Sequence, residues 1–221
     1  MAPPGTGRRW RWAFGVLVFA AVAPLSLFGL PFAALLIAAR PTTRREWLAA
    51  ALAGGVSIAL LVTPETGLRD AVTRAWIVLV SVAFGAWATV RPAGFWALAW
   101  RAGLYAAAGV AVLANVVGGP AVWTEVHWEA TRAASSVVRR VVEVVPPLYP
   151  AFEPTVRLLA GGWPVGLVLE TLAGLALAWW GHTLVARTPL GPPLSAPGAG
   201  RQPASRRDGR ATPAAGVVLN P

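Results

Sequence analysis

Four polar side chains lie inside otherwise apolar stretches of this chain: Arg74, Arg101, Asn115 and Glu170. Such groups are costly in hydrocarbon and default to ligand, ion or partner contacts. Each also has a plainer reading. A guanidinium on its long stem can reach back to the lipid headgroups, which suits Arg74 and Arg101. Asn115 can hydrogen-bond a neighbouring helix. Asp70 precedes Arg74 by one helical turn, the spacing of a local ion pair. Glu170 has a side chain too short to travel far. A salt bridge to Arg74, a ligand or ion contact, and a protonated carboxyl at the lipid edge are its three readings. Arg74, Asn115 and Glu170 together form the candidate ligand-binding set, expected to converge on a pocket that opens outward. His182 is expected at the membrane interface.

The sequence offers no catalytic pattern. It has no Gly-x-Ser-x-Gly, no phosphate-binding glycine loop and no paired carboxylates in a polar segment. The absence of cysteine excludes thiol catalysis and thiolate metal sites. The two histidines, His127 and His182, stand far apart without metal-ligand spacing. The expectation is a non-enzyme with no metal and no cofactor.

The elements that must position these residues are apolar. The chain has 221 residues, of which 56% are hydrophobic and 13% charged, where a globular domain carries about 25% charged residues. Apolar runs cover Ala13–Ala39, Trp47–Val62, Ala71–Val90, Phe95–Val117 and Trp163–Ala186. A helix of about 20 apolar residues crosses a bilayer, and backbone groups in lipid must be satisfied within the segment. The fold class is therefore all-α: an integral membrane helical bundle of about six transmembrane helices plus one amphipathic surface helix.

The count of six depends on Ala13–Ala39. As one helix this run is long, and Pro24 and Pro31 kink it. As two helices it turns near Ser26–Pro31. Arg8, Arg9 and Arg11 precede it, and Arg40, Arg44 and Arg45 follow. Basic clusters favour the cytoplasmic side, and both can lie there only if the run crosses twice. A cleaved signal peptide ending at Ala21-Val22-Ala23 is the weaker reading, because Pro24 would follow the cut and the apolar run continues. The remaining runs then alternate, with both termini cytoplasmic, and Trp10, Trp12, Trp47, Trp96, Trp100, Trp163, Trp179 and Trp180 fall near predicted ends.

This divides the chain into a cytoplasmic segment 1–12, a bundle 13–187 and a disordered tail 188–221, rich in Pro, Gly, Ala, Ser and Arg. Within the bundle, residues 121–145 form an amphipathic outer helix. Val122, Val126, Ala130, Ala133, Val137, Val141 and Val144 recur at helical spacing, with charges on another face. Glu129 with Arg132, and Arg139 with Glu143, are set for local pairing. This helix is expected to lie on the outer surface or to cap the bundle mouth.

The net charge is +10, and all 19 basic residues are Arg. With the abundance of Ala, Gly, Pro and Val, that points to a GC-rich bacterial genome and a multi-pass protein of the bacterial inner membrane. The arginines flank apolar runs and form no groove-sized patch with interleaved aromatics, so no nucleic-acid partner is expected.

The proline-broken apolar pair ending in an Arg cluster (Pro31 through Arg45), the span opening Arg74-Ala75-Trp76, and the late span running through Leu184–Arg187 into Pro189-Leu190-Gly191 resemble the YybS-like family of bacterial membrane proteins. The resemblance covers roughly residues 13–194 and rests on motifs of low specificity. That family is in turn similar to the substrate-binding membrane subunits of energy-coupling-factor transporters. The resemblance implies about six helices, an outward-facing pocket and a binding or transport role. Its members continue past the Pro-Leu-Gly region with further spans, whereas the polar stretch after Ser195 here reads as a truncated or frame-shifted end. The expected function is a small-molecule-binding, transporter-like membrane subunit without its own ATPase, in contact with the bilayer and with a transporter partner. The alternative is a structural or assembly protein that recruits cell-envelope or division partners.

Overall fold

The computed structural model describes residues 6–64, 67–91 and 93–186. The expected tail 188–221 and the first five residues of the expected segment 1–12 lie outside them. The described chain is helical throughout, with seven α-helices and no strand among the described residues: α1 (Thr6–Val22), α2 (Ser26–Ala38), α3 (Arg44–Val62), α4 (Leu68–Val90), α5 (Phe95–Gly118), α6 (Ala121–Val144) and α7 (Phe152–Val185). A 3-10 turn, Pro146–Ala151, joins the last two.

Four helical stretches are long and apolar enough to cross a membrane: α3, α4, α5 and Pro146–Val185, which contains α7. The chain is a multi-pass helical membrane protein. Helix α3 shows how lipid replaces water as its surroundings. Its buried residues are Glu46, Ala50 and Ser57, while Leu48, Leu52, Val56, Ile58 and Leu60 face outward. Polar and small groups point in and large aliphatics point out, the reverse of a water-soluble helix. The six-span expectation needs α1 and α2 as well, and these have 17 and 13 residues. At 1.5 Å per residue, α2 is about 20 Å long, short of the roughly 30 Å of bilayer hydrocarbon.

Helix α2 is the axis of the bundle and packs on α3, α4 and α7. Nine of its residues are buried, including Leu27, Phe28, Phe32, Leu35 and Leu36. A helix that is apolar all round belongs inside. Small residues set its distance from its neighbours. A Cβ on Gly174 of α7 would stand 2.6 Å from the Leu27 carbonyl oxygen, and one on Gly85 of α4 would stand 2.9 Å from the Ala34 Cβ. Only glycine permits that closeness, and close backbone approach is how helices associate where lipid supplies no hydrophobic drive.

The break in the first apolar run falls at Ala23–Leu25, not across Ser26–Pro31 as the sequence reading places it. Pro24 biases its predecessor away from helix, and the chain restarts with Leu27 N–H donating to the Pro24 carbonyl at 3.0 Å. Pro31 stays inside α2. A proline deprives the carbonyl four residues earlier of its partner; that carbonyl is Leu27, the one packed on Gly174. Helix α7 likewise begins at Phe152, eleven residues before the expected Trp163, and runs through Pro164 for 34 residues. Its early start follows from packing: Val156 and Ala160 form a buried cluster with Ala134 and Val138 of α6. Helix α6 therefore lies lengthwise against the first half of α7, and its buried stripe is Val122, Val126, Ala130, Ala134 and Val138.

Candidate functional site

Arg74 belongs to the architecture of one end of the bundle. Its guanidinium donates to the Leu61 carbonyl at 2.5 Å and to the Thr63 carbonyl, and pairs with Asp70 at 2.7 Å. Further contacts reach Thr63 Oγ1 at 3.3 Å and the Pro64 carbonyl at 3.4 Å. Carbonyls at a helix C-terminus lack intrahelical donors and attract cations, so Arg74 closes the end of α3 from α4. Its side chain is 16% exposed. A salt bridge with Glu170, one of the sequence readings, is not formed. Asn115 is exposed on α5 and donates to the Ala111 carbonyl at 2.7 Å within its own helix.

Glu170 stands apart from both. It lines a cleft of about 640 Å³ with Arg69, Asp70 and Thr73 of α4 and with Ala130 and Ala134 of α6. It makes no hydrogen bond or ion pair among the described residues, and the three ion pairs found there join Arg74 to Asp70, Arg132 to Glu125 and Arg157 to Glu153. Arg69 likewise has no carboxylate partner among the described residues, since its neighbour Asp70 is turned to Arg74. Arg74 and Asn115 line neither this cleft nor the chamber beside it.

That chamber, about 330 Å³, lies between α4, α5, α6 and α7 and is walled by Trp76, Trp123, His127 and Trp163. It shares Ala130, Trp163 and Leu167 with the Glu170 cleft. Trp76 is fixed in place by its indole N–H, which donates to Thr171 Oγ1 at 2.8 Å. Thr171 in turn donates to the Leu167 carbonyl at 2.6 Å. A polar cleft and an aromatic chamber thus meet at one wall. Apolar enclosure with a few converging polar groups is the usual build of a small-molecule site.

Local spacing predicts Arg132 as the partner of Glu129. Instead its carboxylate crosses to α4 and accepts from the Leu68 and Arg69 N–H groups at 3.0 and 2.7 Å, capping that helix from another element. Gly67 makes room, because a Cβ there would collide with the carboxylate. Arg132 pairs with Glu125 at 3.0 Å, and no Arg139–Glu143 pair forms among the described residues. Arg101 lies with its guanidinium 5.2 Å from the Trp87 ring centroid, a cation–π contact.

The opposite end of the bundle holds the start of α3. Thr43 and Glu46 form a capping box at the start of α3, legible as Thr-x-x-Glu in the sequence. Glu46 is 2% exposed, and its carboxylate accepts from the Thr42 and Thr43 N–H groups at 2.8 and 2.9 Å. His182 is buried, 5% exposed, and its Nε2 has no hydrogen-bond partner among the described residues. Trp12 covers this region, with its indole N–H donating to the Leu177 carbonyl at 3.1 Å and its ring tilted against Phe28 and Phe32.

Comparison with protein-family models, with curated proteins and with solved structures finds no match to this chain.

Proposed function

We propose that this multi-pass protein is a small-molecule-binding, transporter-like membrane subunit whose ligand occupies the Glu170 cleft and the adjoining tryptophan chamber. The observation that carries the reading is the half-buried Glu170 carboxylate, which lines a cleft between α4, α6 and α7 with no partner among the described residues. An intramembrane carboxylate without a partner invites one. Arg69 on the same cleft supplies the opposite charge, so the matching ligand has a cationic group for Glu170 and an anionic or acceptor group for Arg69. Its apolar body packs against Trp76 and Trp163. The resemblance to the YybS-like family belongs to the same proposal, as do a bacterial inner-membrane location and an arginine-rich cytoplasmic end. The sequence holds no phosphate-binding loop, so transport driven by ATP would use a partner's ATPase.

Native mass spectrometry of the detergent-solubilised full chain tests this. The wild type is expected to retain a small molecule, and Glu170→Gln to lose it while its melting stability stays within about 0.5 kcal/mol, as for a residue without structural partners. Equal retention by the two proteins removes the model. The second reading, an assembly protein, is supported by the outer face of the α6–α7 hairpin, where Val137, Val141, Val144, Leu148 and Tyr149 are exposed. An envelope protein that co-purifies through this hairpin, with no small molecule retained, would favour it.

A further inference from the structure

The end of the bundle opposite Glu170 carries a second, independent cleft. It has a volume of about 880 Å³ and lies where the start of α1, the start of α3 and the end of α7 meet. Arg9, Arg44 and Arg45 line it from two helices, with Trp12, Leu184 and Val185 forming an apolar floor. None of the three arginines has a carboxylate partner among the described residues, where all three ion pairs lie elsewhere. The nearby carboxylate, Glu46, is folded inward onto the Thr42 and Thr43 N–H groups. Within the first turn of α3 the Glu46 N–H donates to Thr43 Oγ1 at 3.3 Å. The cleft's charge comes from the three guanidiniums that line it.

We propose that this cleft binds a phosphate-bearing anion, held by Arg9, Arg44 and Arg45. Guanidiniums present paired N–H donors that match phosphate oxygens. Three of them converging without a counter-charge repel one another until an anion arrives. The apolar floor suits an anion that carries an acyl chain, which is a phospholipid headgroup at the membrane surface. Free phosphate or a soluble phosphate ester has the same recognition chemistry, so the experiment separates the two sources.

The full chain in detergent is compared with the triple variant R9Q/R44Q/R45Q and with a charge-matched control at the other end, R132Q/R139Q/R140Q. Native mass spectrometry follows retention of phosphatidylglycerol, and thermal melting follows stabilisation by inorganic phosphate. Loss of retained lipid in the first variant but not in the control supports the lipid form, with an expected decrease of about fivefold per arginine removed. Phosphate-dependent stabilisation that disappears in the first variant, with lipid retention equal in all three proteins, supports the free-phosphate form. Equal behaviour of all three proteins toward both probes overturns the proposal, and so does an equal loss in the control. All three arginines are exposed, so the variant is expected to fold. If it does not, the single variants R9Q, R44Q and R45Q decide the same question, each expected to lower retention about fivefold and each contradicting the proposal if it does not. Glu170→Gln is expected to leave this binding unchanged, which keeps its failure distinct from failure of the ligand cleft.

Discussion

The two ends of the bundle use the same residue type in opposite ways. At one end, Arg8, Arg9, Arg11, Arg40, Arg44, Arg45 and Arg91 stand around a single carboxylate among the described residues, Glu46, which is buried in its own capping box. At the other end, Asp70 pairs with Arg74, Glu125 with Arg132 and Glu153 with Arg157, and Glu129 accepts from the first amides of α4. Paired charges there close helix ends and fasten α6 to α4. Unpaired charges at the arginine end hold nothing together within the described chain. A membrane bundle thus builds structure from satisfied polar groups and leaves the unsatisfied ones for what lies outside it. In the half that holds these pairs, Glu170 and Arg69 face one cleft without side-chain partners among the described residues, which is why they are the residues proposed to meet a ligand.

The largest test of that contrast is Arg74→Ala. It leaves the Leu61 and Thr63 carbonyls and Asp70 without their donor. Hydrogen bonds to charged groups are worth about 1.5–3 kcal/mol, so a loss of about 2 kcal/mol in thermal or denaturant stability is expected. Arg44→Ala at the other end should stay within about 0.5 kcal/mol, as surface changes usually do. Equal losses at the two positions would break the comparison.

Glu129 gives a smaller and sharper effect. Glu129→Ala removes the cap on α4, and losing a cap costs about 1 kcal/mol. Gly67→Ala should cost a similar amount for a different reason, since its Cβ displaces the same carboxylate. The two changes act on one interaction. Gly67→Ala is therefore expected to be nearly silent in a Glu129→Ala background, a coupling that a double-mutant cycle reads directly. Additive losses would mean that Gly67 matters for some reason other than Glu129. Protease sensitivity of the α6–α7 hairpin should rise in each variant, because this contact holds α6 to α4.

How far the sequence alone predicts this structure depends on the range of the forces involved. Helix class and the apolar spans follow from composition, because hydrocarbon admits few alternatives. Pairing of Arg74 with Asp70 was readable at one-turn spacing. The destination of Glu129 was not, since it lies about 60 residues from its partners and local spacing pointed to Arg132. The early start of α7 is illegible for a related reason. Gly161, Gly162 and Pro164 disfavour a helix interior by propensity, and the contact of Val156 and Ala160 with α6 overrides them. Pro31 repeats the lesson: the cost of a proline inside α2 depends on what faces the Leu27 carbonyl, and Gly174 is more than 140 positions away. Of the candidate site, Glu170 was legible as a short carboxylate in an apolar run. Arg69, Trp76 and Trp163 join it only through tertiary packing.

The smallest expected effect tests whether the arginine end gives up stability to keep its charge. Arg40 follows the last turn of α2 with a φ of 54°, and its N–H donates to the Ile37 carbonyl at 3.0 Å. That left-handed conformation closes helices well when the residue is glycine and costs a side-chain-bearing residue about 1 kcal/mol. Arg40→Gly is expected to raise stability by somewhat less than that, because glycine also gains freedom in the unfolded chain. Arg40→Ala removes the same charge and keeps the strain, so it should show no such gain. If the alanine variant gains as much as the glycine variant, the cause is relief of repulsion among the clustered guanidiniums and not backbone geometry. In that case an anion bound at Arg9, Arg44 and Arg45 should cancel the difference between wild type and variant, a result that melting with and without phosphatidylglycerol would expose.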